Sequence, residues 1–192
     1  MYFIRPLLSI CIFSLFISCN SEETSVPKPR GYYRIALPKH DYKMFAPESC
    51  PFTFEIPTYA TALPDTNGLS QACWYYLILP RFNGQIYLTY KKLENDLPQL
   101  LDNTRTLVYK HTARASSIDE NVFHYADGVS GVIYDIGGDA ASPLQFFATD
   151  STHHFLRGAV YFNSLPNADS IAPVEAYLRA DIEHLLQSLK WK

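Results

Sequence analysis

Two adjacent histidines, His153 and His154, follow Asp150-Ser151-Thr152 and have more scope for chemistry than any other stretch of the chain. An acid, a hydroxyl and an imidazole are the parts of a hydrolase, and paired imidazoles are the parts of a metal site. Their spacing argues against both. Adjacent side chains on a strand point to opposite faces and seldom reach one ion, and Asp-Ser-Thr is ordinary turn chemistry. The carboxylate pair Asp119-Glu120 meets the same objection. Ser142, after Gly-Gly-Asp-Ala-Ala, lacks the G-x-S-x-G of a nucleophile elbow. Gly137-Gly138 opens no helix that would cradle a phosphate. His111, at the end of a helical pattern, reads as a partner for the negative end of the helix dipole. These patterns point to no catalytic residue, no metal-ligand set and no cofactor.

Cysteine offers the other chemistry. Arg5 and the apolar run Leu7 to Ile17 have the charge and length of a secretory leader, too short to span a bilayer comfortably. The run ends Leu15-Phe16-Ile17-Ser18-Cys19, which resembles the bacterial lipobox, with Phe16 departing from the usual Leu. Residues 1–18 are therefore expected to be a lipoprotein signal peptide, with Cys19 the acylated new N-terminus. Two or three acyl chains anchor a protein stably. Loss of Arg5 with the leader takes the net charge from −3 to −4, which gives nucleic acid no electrostatic reason to bind. Residues 19–28 form the lipidated N-terminus and a polar tether. Ser21-Glu22-Glu23 is either an acidic surface-export signal or a solvated linker. Cys11 leaves with the leader, so Cys50 and Cys73 remain. They are an even pair in an oxidising compartment, expected to form a disulfide rather than to stay free thiols.

The elements that must position these residues occupy 29–192, a single α+β domain. Hydrophobic residues make up 47% of the chain and aromatics 15%, which favours strands and a large core. Phe52, Phe54 and Ile56 alternate with polar residues up to Pro57. Cys73 to Leu79 reads as a buried central strand, turned at Asn83-Gly84 into Gln85 to Lys91. Ser117 to Tyr125 and Val129 to Ile136 flank a turn at Asp127-Gly128. The segment from Gly128 to Asn163 reads as a three-strand meander. Leu97, Leu100, Leu101, Thr104, Leu107 and Val108 recur at helical spacing after Asn95 or Asp96, ending near His111. A second stripe runs Val174, Tyr177, Leu178, Ile182, Leu185, Leu186, Leu189 and Trp191, capped by Asp169 or Ser170, with Pro173 in its first turn. This order predicts a twisted, mainly antiparallel sheet of about six or seven strands packed by two helices, an arrangement that looks like the PsbP/Mog1-type sandwich. Between tether and first strand, Arg30, Tyr32, Tyr33 and Arg34 are bracketed by prolines. They form either a partner-binding epitope or an arm laid over the core.

Longer motifs carry a resemblance. They are Pro27 to Tyr32, Cys73-Trp74, Arg105 to Thr112, Ile118 to Glu120 and Tyr134 to Gly138, then Gln145 to Ser151, His154 to Asn163 and Leu189 to Lys192. With the lipobox and the length, the chain closely resembles the gliding motility lipoprotein GldD of Bacteroidetes across nearly its whole span. The resemblance implies a non-enzymatic envelope lipoprotein required for gliding, scaffolding or stabilising a machinery coupled to type IX secretion. Its implied partners are other gliding and secretion envelope proteins. Its implied place is the outer membrane facing the periplasm, or alternatively the cell surface. Two other readings stay open: a periplasmic carrier with a small-ligand pocket lined by Tyr and Phe, and a hydrolase using Asp150, His153 and His154.

Overall fold

The structure is a computed structural model that describes residues 34–68 and 70–192. Cys19, Arg30, Tyr32 and Tyr33 lie outside the described residues. The compact unit Tyr33–Lys192 carries the fold.

Among the described residues, ten strands and two α-helices follow one another as β1 (Tyr42–Phe45), β2 (Phe52–Pro57), β3 (Thr61–Pro64), β4 (Tyr75–Leu79), β5 (Gly84–Lys92), α1 (Leu97–Tyr109), β6 (Ala115–His124), β7 (Ser130–Gly138), β8 (Leu144–Thr149), β9 (His154–Phe162), α2 (Ala168–Gln187) and β10 (Lys190–Trp191). Seven strands form one sheet in the order β3-β4-β5-β9-β8-β7-β6, and β1-β2-β10 form a small second sheet. Every pairing is antiparallel. The fold is thus a single α+β domain with a seven-stranded antiparallel sheet and two helices, as the pattern of periods predicts.

The two faces of the large sheet are covered differently. On one side α2 and the small sheet pack Phe52, Phe54, Leu178 and Leu186 against Leu77, Leu88, Phe146 and Leu156 from the strands. Each such fully buried side chain contributes roughly 1.5–3 kcal/mol. The ring of Phe146 lies against Gly158, its register partner on β9, where an added Cβ would sit 2.2 Å from the ring. On the other side α1 covers only part of the sheet, through Val108 over Tyr134, Ile136, Phe147 and Phe155.

Several boundaries differ from expectation. The Cys73–Leu79 strand begins at Tyr75, because Cys73 sits at φ 67, and it is second from the edge rather than central. The cap of α2 is Asn167, whose side chain accepts from the Ser170 amide, and Pro173 falls within the helix rather than in its first turn. Trp191 leaves the helical stripe altogether and pairs with Phe52 in β10. The edge strands β1 and β3 and the two-residue β10 have too little periodicity to be found in the sequence. Asn83 (φ 46), Asp127 (φ 57) and Gly128 (φ 73) are left-handed at the two expected hairpins, the backbone that Asn, Asp and Gly tolerate best.

Candidate functional site

The Asp150 turn joins β8 to β9. One Asp150 carboxylate oxygen accepts the amides of Thr152 (3.0 Å), His153 (2.8 Å) and His154 (2.8 Å). Burial pushes this carboxyl up, but the amide donors and neighbouring His154 outweigh it and hold the pKa at about 2. The two imidazoles diverge. His153 is exposed, while His154 turns inward, accepts the Tyr90 hydroxyl on Nδ1 (2.8 Å) and stacks on Trp191 at 5.0 Å. Burial, with help from His153 and Lys92, pushes the His154 pKa down. Asp150, His153 and His154 therefore close and pin a turn. Among the described residues no group of three His, Cys, Asp or Glu side chains is placed to hold a metal ion.

The other chemistry candidates are also committed to structure. Ser142 is fully buried and its hydroxyl points to the Leu144 carbonyl (3.4 Å). Glu120 accepts the Tyr109 hydroxyl at 3.1 Å, whereas Asp119 faces Asp135 across the β6–β7 ladder. His111 lies in a short 3-10 turn beyond α1, where burial and then the charge of Arg157 lower its pKa. That shift disfavours the cationic form the helix-dipole role needs. Cys50 and Cys73 are joined by a disulfide with Cα atoms 5.6 Å apart, inside the core on the α2 side. Arg34 is exposed in a segment that, among the described residues, pairs with no strand.

Two polar clusters escaped the sequence reading. The first surrounds Asp181, which is 2% exposed on α2. Its carboxylate accepts His40 Nδ1–H at 2.7 Å, the Tyr42 hydroxyl at 2.8 Å, and the Tyr59 hydroxyl. Burial, and then Asp181 itself, push both phenols up. His40 stacks on Tyr177 (4.2 Å), Tyr42 stacks on His184 (3.6 Å), and His184 donates to Glu55 at 2.6 Å. An Asp–His pair resembles two thirds of a hydrolytic triad. Here, though, the His40 Nδ1 also meets Tyr42, at 3.3 Å, and the whole set ties the chain just past the tether to α2.

The second cluster is a groove of about 340 Å³ on the other side of the sheet. Its floor comes from the β5–β9 ladder, which sets Arg157 directly opposite Thr89 and diagonal to Tyr87 and Lys91. One wall is a single helical stripe on α1, Leu100, Asn103, Thr104 and Leu107, and Trp74 closes the other side. Lys91 donates to Gln71 at 2.6 Å and lies 5.3 Å from the Trp74 ring centroid. Arg157 donates to Gln145 at 2.6 Å and, among the described residues, forms no ion pair with any carboxylate. Its buried Nε and the buried Nε2 of Gln145 have no hydrogen-bond partner. Burial lowers the Arg157 pKa, against the pull of the Tyr161, Tyr87 and Tyr134 hydroxyls.

The sequence match to known families decides the broader identity. The family model of the gliding motility lipoprotein GldD matches residues 22–191. The chain belongs to that family. Family membership makes it a gliding motility lipoprotein, and so a membrane-anchored protein of the cell envelope. A search of curated proteins finds no match. Among solved structures, the solution structure of cyanobacterial PsbP (CyanoP) from Synechocystis sp. PCC 6803 is similar, with a TM-score of 0.48 and 8% identity over 79% of this chain and 92% of that one. Likeness at this level bears on neither ligand nor partner. No helix among the described residues is long and apolar enough to cross a membrane.

Proposed function

We propose that this lipoprotein is a non-enzymatic docking component of the gliding and type IX secretion machinery, held by acylated Cys19 to the outer membrane and facing the periplasm. The observation that carries the reading is the family match, which begins beyond the expected leader and spans the folded domain, residues 22–191. Three features support it. Cys19 stands between an apolar run and a polar tether. His40, Tyr42 and Tyr59 all bond to Asp181 on α2, which fixes the N-terminal part of the domain to that helix. Arg34 is exposed within the proline-bracketed stretch Arg30 to Arg34, and Arg and Tyr dominate interface hot spots.

The test is complementation of a deletion strain with Arg30→Ala/Arg34→Ala, beside wild type and Cys19→Ala. Docking through this segment is expected to abolish gliding and co-purification of envelope partners. The melting temperature should stay within a few degrees of wild type, the range of surface substitutions. Normal gliding of the double variant removes the segment from the partner interface. Unchanged palmitate labelling of Cys19→Ala removes Cys19 as the anchor.

A further inference from the structure

Arg157 has no stability argument for its position. Burying a cation without an anion is costly, and an apolar side chain of similar volume is ordinarily no worse there. Yet the ladder places this guanidinium in the middle of the sheet, opposite Thr89 on β5 and Phe147 on β8. It lines an open groove, and among the described residues its one protein acceptor is the amide oxygen of Gln145. Gln145 is itself 1% exposed, and its own Nε2–H groups are unused. A guanidinium that lines the groove with only a neutral amide oxygen against it thus calls for an acceptor that carries negative charge. A carboxylate fits, because its two oxygens match the parallel N–H groups of a guanidinium.

The walls define the rest of the occupant. Trp74, Tyr87, Leu100, Leu107 and Phe155 are aromatic or aliphatic, and Asn103 and Thr104 add only neutral polarity. Lys91, at the same wall as Trp74, adds positive potential to the groove. The volume of about 340 Å³ stands at the small end of ligand sites, roughly 300–1,000 Å³. A dianion would need more charged donors than one guanidinium supplies, and it would gain nothing from these walls. We propose that the groove between α1 and the β5–β9 ladder is a binding site for a small amphipathic carboxylic acid, its carboxylate on Arg157 and its apolar body against Trp74, Tyr87 and Leu107.

The test titrates full-length lipidated protein in detergent micelles with 3-phenylpropionate, its neutral amide, inorganic phosphate, and a short peptide ending in a free Phe carboxylate. Calorimetry and histidine NMR read the binding. The acid is expected to bind at least about tenfold more tightly than its amide, since a charge-assisted pair is lost in the amide. Arg157→Met is expected to remove that preference. Arg157→Lys, which keeps the charge without the fork, is expected to retain only part of it. In wild type, acid binding is expected to raise the pKa of His111, because the bound carboxylate neutralises the Arg157 charge that helps to lower it. Equal binding of acid and amide, no saturation by either, or tighter binding of phosphate overturns the proposal. So does tighter binding of the peptide, which would make the groove a receptor for chain ends. An unchanged His111 titration in the bound state also overturns it, even if Arg157→Met fails to fold.

Discussion

Asp181 and Arg157 are both charges carried inward by regular elements, on opposite sides of the large sheet, and they are handled in opposite ways. Asp181 meets three donors from the segment between His40 and Tyr59, and a ring of stacked aromatics seals it. Arg157 meets one amide oxygen and keeps a buried donor unused. A fold that satisfies one buried charge so completely has no general difficulty in supplying partners. The difference teaches where to look for function: the completed cluster holds the domain together, and the uncompleted one faces a groove.

The largest effect should come from removing the completed charge. Asp181→Ala leaves three inward-pointing donors without an acceptor, each costing about 1–3 kcal/mol where water cannot reach it. A loss of roughly 3–4 kcal/mol is expected after relaxation. Urea denaturation should show the midpoint falling with little change in slope. Asp181→Asn, which keeps one acceptor oxygen, should lose less. A loss under about 1 kcal/mol for the alanine variant would mean that the cluster is decoration.

The disulfide sharpens the same contrast, because Cys50 and Cys73 lie wholly in the core on the α2 side. Replacing both with Ser is expected to cost about 3 kcal/mol, chiefly from the freed unfolded chain. Trp74, which closes the groove, follows Cys73 directly, so binding by the folded variant reads how far the bond also positions that wall. Native protein should show neither of these thiols to Ellman's reagent; two titratable thiols would show that the bond is not formed in the cell.

Much of the scaffold was legible. Alternation at Phe52 to Ile56 and the helical stripes from Leu97 and Val174 are signals set by a single element's own periodicity. The two clusters were legible only as anomalies. Asp181 occupies a stripe position between Leu178 and Ile182, and Arg157 interrupts the apolar run from Phe155 to Phe162. Each says that a polar group goes inside; neither says what meets it. The partners of Asp181 lie more than 120 residues away in sequence, at a separation of 141 for His40 and 122 for Tyr59. The Asp150 turn shows the reverse case. Its residues were found at once, but residue type did not reveal that three amides and a Tyr90 hydroxyl would occupy them.

Replacing the uncompleted pair tests the other half of the comparison. Arg157→Met with Gln145→Leu removes both unused donors together and fills the space with apolar atoms. Stability is expected within about 1 kcal/mol of wild type, or above it, the opposite sign to Asp181→Ala. A loss above about 3 kcal/mol would show that Arg157 is as structural as Asp181. The comparison would then collapse.

The smallest effect concerns two histidines on opposite sides of the sheet. His154, beside Tyr90 and Trp191, and His111, near Arg157, both have pKa values pushed below the ordinary 6.5, mainly by burial. For each, the unfolded chain binds the proton more tightly, so unfolding takes up protons on mild acidification and stability falls as pH falls. Their contribution is complete above pH 6.5 and is lost as pH drops through the lowered folded values. Asp150 has the same sign in a lower window. Its contribution holds above its ordinary 3.8 and disappears towards about 2. The causes separate the two histidines. His154 owes part of its shift to His153 and Lys92, whereas the charge that helps to lower His111 is Arg157. Proton NMR titration of Arg157→Met should therefore move the His111 pKa upward and leave His154 in place. The acid-side loss of stability between pH 7 and 5 should shrink by the His111 share alone, a fraction of the 1.36 kcal/mol that accompanies about one pKa unit. If both histidines shift together, the substitution has loosened the sheet. If neither shifts, the Arg157 charge does not act on His111, and the coupling between the groove and that histidine falls.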